Sequence, residues 1–107
     1  MSTERIVMVG YKPFPGKDGA LKHLIKTHVA RLRKEGLASD REPILMISKS
    51  GVIIEIFGWK TKEAIDAAHT NATVQKMWAE YEEVCEYIPV GNLEETTTLF
   101  SEFSPLD

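Results

Sequence analysis

Two segments of this sequence are apolar on both parities. Ile6-Val7-Met8-Val9-Gly10-Tyr11 shows no alternation. In the segment from Val52 to Trp59, Val52, Ile54 and Ile56 occupy one parity, while Ile53, Phe57 and Trp59 occupy the other. A strand turns successive side chains to opposite faces, so such a strand needs both faces covered. Packed helices can cover one face of a small sheet. The other is expected to be covered by the sheet of a second copy, which makes a homodimer the expected assembly.

The remaining elements follow from periodicity and punctuation. Pro13, Pro15, Gly16 and Gly19 end the first strand, and Asp18 is a candidate N-cap. A helix is predicted from about Gly19 to Glu35, with Leu21, Leu24, Ile25, His28 and Leu32 as its apolar stripe. Arg31, Arg33 and Lys34 suit its last turn, and Gly36 suits its stop. Ile44–Ser48 and Val52–Trp59, joined by Lys49-Ser50-Gly51, read as an antiparallel hairpin. Thr61 caps a second helical stretch that is expected to run to about Tyr87, with a break at Asn71. Thr96–Phe103 alternates and is predicted as the last strand. The order β-α-β-β-α-β is that of an α+β, ferredoxin-like split βαβ domain: one antiparallel sheet with helices on one face. Residues 1–107 suit a single domain, because one core commonly takes roughly 100–200 residues.

Charge and cysteine usage narrow the function classes. The net charge is −3, whereas nucleic-acid binders carry a basic surplus, so no nucleic-acid partner is expected. Cys85 is the sole cysteine, which excludes an intramolecular disulfide and a cysteine-rich zinc site. A reducing, cytoplasmic setting is expected. No apolar run approaches the roughly 18 residues of a membrane span, and Met-Ser-Thr-Glu-Arg lacks the apolar core of a signal peptide, so no membrane partner is expected. The three histidines are too scattered for a metal site, and no phosphate-binding glycine loop or Ser-His-Asp arrangement is present.

One segment carries a family resemblance. Phe57-Gly58-Trp59 ends a strand, Thr61 caps the next helix, and His69 follows ten residues after Trp59. Asn71-Ala72-Thr73-Val74 and Trp78 continue the pattern. With the element order, this resembles the antibiotic biosynthesis monooxygenase family of the dimeric α/β-barrel superfamily. In motif the resemblance spans about residues 52–80; in architecture it spans nearly the whole chain. It implies a homodimer with face-to-face sheets and, in each subunit, a small cavity between sheet and helices. It also implies oxidation of phenols or quinols by molecular oxygen without metal or flavin, hence no cofactor. The haem-cleaving branch uses an Asn on the first strand. Here the asparagines are Asn71 and Asn92, and Ala68 stands where that branch has its Trp.

Few polar residues are placed to do chemistry. His69, near the helix break, and His28, on an apolar stripe, are the candidate bases. Each also has a structural reading, as a backbone-bonded or core histidine. Met77, Trp78 and Tyr81 share a helix face and read either as core or as a flat wall for an aromatic ligand, with the Tyr81 hydroxyl as donor. Trp59 reads as a plug under the helix start. Glu55 interrupts an apolar strand, so it must be paired, protonated or at an opening; an Arg or Lys partner is expected, and substrate binding or a general-base role is the alternative. Tyr11 ends the first strand and is a further candidate for substrate binding. Arg31 and Arg41 are candidates to support an anion. The chemistry expected is cofactor-independent oxygenation of a small phenol or quinol. The alternatives are a non-catalytic ligand-binding or stress-associated dimer on the same scaffold, and an isomerase or decarboxylase of an aromatic acid.

Overall fold

In a computed structural model that describes residues 3–106, the both-faces-apolar segment becomes the middle strand of a five-stranded antiparallel sheet. Strand β1 spans Arg5–Pro13, β2 Ile44–Ile47, β3 Ile53–Trp59, β4 Cys85–Ile88 and β5 Ser104–Pro105. Their order across the sheet is β4-β1-β3-β2-β5. Helix α1 spans Asp18–Lys34, α2 Lys62–Ala68 and α3 Ala72–Glu82. The domain is thus α+β.

Register decides which residues share a face. Val7 pairs with Phe57, Val9 with Glu55 and Tyr11 with Ile53. These residues and Trp59 face α1 and α3, which contribute Leu21, Ile25, His28, Val29, Leu32, Val74, Met77 and Tyr81 as buried residues. On the opposite face, Val52 and Ile54 pack with Leu93, Val90 and Phe103 from the chain after β4. That cover is partial. Ile6, Met8 and Ile44, in register with Gly58 and Ile56 on this face, remain 55%, 50% and 54% exposed.

The local signals explain the helix ends. The Thr61 hydroxyl and the Asn71 side-chain oxygen each accept from the backbone N–H three residues on, at 3.0 Å, and so start α2 and α3. Helix α1 stops at Gly36, whose φ of +76° lies in the left-handed region. There Leu37 N–H donates to the Leu32 carbonyl and Gly36 N–H to that of Arg33, the paired bonds of a Schellman stop.

Three expectations need correction. The N-cap of α1 is Lys17, which makes no side-chain cap bond, and Asp18 is instead the helix's first residue, where its charge suits the helix dipole. The second helical stretch ends at Glu82 rather than about Tyr87, and Cys85–Ile88 forms the fourth strand against Gly10–Pro13. Thr96–Phe103 is not a strand. It begins in a 3₁₀ turn over Glu94–Thr97, and the two-residue β5 follows at Ser104. The threonines account for this. The hydroxyls of Thr96, Thr97 and Thr98 donate to carbonyls three residues back at 2.8, 2.7 and 3.1 Å, satisfying the backbone locally instead of across a ladder.

Two glycines should respond oppositely to alanine. A Cβ at Gly10 would overlap the Ile88 carbonyl of the neighbouring strand, while one at Gly19 meets open space in the first turn of α1. Gly10→Ala is expected to destabilise by about 2 kcal/mol and Gly19→Ala to stabilise by roughly 0.5 kcal/mol, read by urea denaturation. Equal effects would refute the β1–β4 register. Glu4 fastens the start of β1 to the loop after α1, with Arg41 Nη2 on its Oε1 at 2.8 Å and the Ser39 hydroxyl on its Oε2 at 2.6 Å. The Arg41 hydrogen bond and then that of Ser39 lower the Glu4 pKa from 4.5 to about 2. A lowered folded-state pKa contributes stability that is complete above the unfolded value and lost on acidification. The melting-temperature advantage of wild type over Glu4→Gln should therefore hold at neutral pH and close between pH 4.5 and about 2. A gap that persists at pH 2 would refute it.

Candidate functional site

Glu55 is a carboxylic acid side chain with no solvent exposure, in the central strand and turned toward the helices. Leaving it unpaired there would be costly. Its Oε1 accepts the Tyr11 hydroxyl at 2.8 Å and lies 2.8 Å from His28 Nδ1. Both contacts follow from the fold. Tyr11 is diagonal to Glu55 across β1 and β3, because Val9 stands directly opposite. His28 sits on the buried stripe of α1, two turns beyond Leu21. The expected Arg or Lys partner is thus replaced by a histidine and a phenol.

Electrostatics fix the direction of the Tyr11 bond. Burial, then the neighbouring Glu55, pushes the Tyr11 hydroxyl well above its usual value of 10, so Tyr11 remains a neutral donor. Burial raises Tyr81 in the same way. Where Oε1 accepts from both partners, His28 donates from Nδ1, and in a neutral ring Nε2 is then the acceptor nitrogen. The ring is held edge-on to Phe57 and Tyr81, with centroids 5.1 and 5.4 Å away. Tyr11 stacks on Tyr81 at 5.3 Å. Among the described residues, the Tyr81 hydroxyl and Glu55 Oε2 are the buried side-chain polar atoms without a hydrogen-bond partner.

A cavity of about 380 Å³ opens between this cluster and α3. Its volume lies within the usual range of small-molecule sites, roughly 300–1,000 Å³. Tyr11, His28, Phe57, Trp59, Trp78 and Tyr81 form its walls with Val7 and Val9, and exposed Glu82 and Tyr87 stand at its mouth. A larger cleft, about 610 Å³, runs along Thr3, Glu4 and Ser39 to Glu42. It is a polar surface groove in which Arg41 is already engaged by Glu4, so the smaller cavity is the better candidate site.

The predicted residues divide. His28, Tyr11, Trp78 and Tyr81 line the cavity, and Glu55 lies directly behind Tyr11 and His28. His69 does not join them. It is exposed at the end of α2, its Nδ1 lies 2.9 Å from the Ile65 carbonyl oxygen, and its ring is T-shaped to Trp78 with centroids 5.4 Å apart. Met77 is buried in the core and is not a wall residue. Arg31 is engaged by Glu80 at 2.8 Å. The sequence reading missed Tyr87, which pairs with Tyr11 in the β1–β4 ladder; its signal was the aromatic and β-branched Tyr87-Ile88 just before Pro89. It also missed Glu82 as a rim residue. Cys85 is buried, and burial pushes its thiol up to about 11, so it stays protonated. Among the described residues no group of three His, Cys, Asp or Glu side chains is placed to hold a metal. No helix is long and apolar enough to cross a membrane.

No protein-family model and no curated protein matches this chain. Among solved structures, the chain is similar to Rv0793 from Mycobacterium tuberculosis, with a TM-score of 0.63 and 18% sequence identity over 79% of this chain and 88% of that one. At that identity the likeness is one of fold: a small α+β domain.

Proposed function

We propose that this protein is a homodimeric, cofactor-independent monooxygenase of small phenols or quinols, built as a ferredoxin-like dimeric α/β barrel of the antibiotic biosynthesis monooxygenase type. The observation that carries the reading is the buried Glu55–His28 pair behind an aromatic cavity. The carboxylate orients the imidazole through Nδ1, and Nε2 takes the proton of a substrate hydroxyl. The aryloxide then passes one electron to dioxygen. The resulting aryloxyl radical and superoxide combine at a ring carbon, forming one C–O bond. The peroxide anion takes the proton back from His28 Nε2, and the resulting hydroperoxide loses water with the ring hydrogen and leaves a quinone. One phenol and one dioxygen thus give one quinone and one water. The protein supplies the base, a dry cavity and the Tyr81 hydroxyl as donor to the developing anion. His28 is therefore the base in this mechanism, and His69 has no part in it.

Two features support the assembly. The order β4-β1-β3-β2 is that of split βαβ domains, and the apolar strip of Ile6, Met8 and Ile44 leaves the outer sheet face incompletely covered. The alternative, a non-catalytic binder, draws on the same cavity, with the Tyr11–Glu55–His28 cluster serving only to hold the core.

Oxygen uptake with a panel of hydroquinones separates the two. Glu55→Gln keeps an oxygen at the Oε1 position for both Tyr11 and His28 but removes the negative charge that stabilises the imidazolium formed when Nε2 takes a proton. It is expected to lower turnover about 100-fold or more, as is His28→Ala, with His69→Ala within about twofold of wild type. No uptake by wild type, or full uptake in Glu55→Gln, would leave the binder. Light scattering at micromolar concentration should give a particle of twice 12.1 kDa, and Met8→Asp should reduce it toward 12.1 kDa. A wild-type particle of 12.1 kDa would overturn the dimer.

A further inference from the structure

Both tryptophans and all three tyrosines of the chain border the same cavity, joined by Phe57. An apolar ligand needs no such concentration, since leucine or valine would dehydrate it as well. Aromatic rings differ in one respect: their faces carry negative electrostatic potential and attract cations. The charged groups around the cavity point the same way. None of the 13 lysines and arginines lines it. Glu82 stands at its mouth beside Tyr87, close enough to raise the Tyr87 pKa. Glu55 lies behind Tyr11 and His28. Arg31, whose charge reaches Tyr81, is neutralised by the Glu80 carboxylate at 2.8 Å.

We propose that this cavity binds a small aromatic cation, an arylalkyl ammonium or quaternised aryl amine, in preference to an uncharged molecule of the same shape, and that it rejects aryl carboxylates. The aryl ring enters among Tyr11, Tyr81 and Phe57, and the ammonium end rests against Trp78 and Tyr87 near the Glu82 carboxylate. The inference rests on the cavity being a ligand site, as in the reading above, and is independent of the oxygen chemistry. It narrows the substrate class: a phenol bearing an aminoalkyl or quaternary ammonium substituent fits this wall, whereas a hydroxybenzoate brings an anion to walls that hold no lysine or arginine.

Because Trp59 and Trp78 are the chain's two tryptophans and both line the cavity, quenching of their fluorescence reads occupancy directly. The intact protein at pH 8 is titrated with phenyltrimethylammonium, with tert-butylbenzene as its uncharged isostere, and with benzoate. The cation is expected to bind about tenfold more tightly than the isostere, and benzoate should not saturate. Tyr87→Leu keeps an apolar rim but removes a π face, and Glu82→Gln removes the rim charge. Each should weaken the cation about threefold or more while leaving tert-butylbenzene unchanged. Both positions are exposed, and a thermal melt verifies that the fold is kept. Equal or tighter binding of tert-butylbenzene, saturation by benzoate in the same range, or no quenching by the cation would each overturn the proposal. Oxygen uptake with no preference for the cation would overturn this inference alone. Cation preference without oxygen uptake would overturn the oxygenase alone.

Discussion

A buried acid in the central strand sets conditions that much of the domain must meet. Glu55 has no contact with solvent, and the loss of its hydration would cost several kcal/mol without donors. Tyr11 and His28 supply them from two different elements. Each donor makes a demand on the fold. Tyr11 reaches Glu55 only in the observed β1–β3 register, since a slip of one residue would turn it to the other face. His28 reaches it only if α1 lays its Leu21, Ile25, His28 and Leu32 stripe across that part of the sheet. The polar cluster therefore selects one arrangement from several that hydrophobic burial alone would allow.

The same cluster divides the helix-facing side of the sheet into two zones. Toward Leu32, Leu37 and Ala38 the interior is closed by aliphatic packing. Toward α3 it is lined by large flat rings that leave a space of about 380 Å³. Rings are stiff and cannot collapse into such a space as readily as leucine or methionine can. Tyr11 is wall and support at once: its ring faces Tyr81, and its hydroxyl holds Glu55.

The parts of the fold legible from sequence were those governed by periodicity and by chain punctuation. Both parities of Val52–Trp59 announced a strand covered on two sides, and Thr61, Asn71 and Gly36 marked helix boundaries through local hydrogen bonding or a positive φ. The fourth strand was harder. Val84, Cys85 and Ile88 continue an apolar helical face from Val74, Met77 and Tyr81, so period alone could not separate helix from strand there. Thr96–Thr98 looked extended because threonine favours strands, and local hydroxyl-to-carbonyl bonds decided otherwise. In the site, the anomaly of Glu55 was visible, but its partners were not. Tyr11 and His28 lie 44 and 27 residues away, and only the three-dimensional register joins them. His69 drew attention by its position near a helix break, where it serves the backbone.

The β1–β4 pairing also has a consequence for how the chain matures. Tyr11 meets Tyr87, so the first strand must wait for one that follows it by most of the chain. Contacts that distant in sequence form late, because their loop-closure entropy is spent before they contribute. During synthesis from the N-terminus, β1 can pair with β3 while its other edge has no partner. That open edge, along Gly10–Pro13, is the part of the nascent strand most prone to non-native pairing until β4 is made. Tyr87 is added to the cavity wall as β4 pairs, so the binding site and the Gly10–Pro13 part of the sheet edge are completed in the same step.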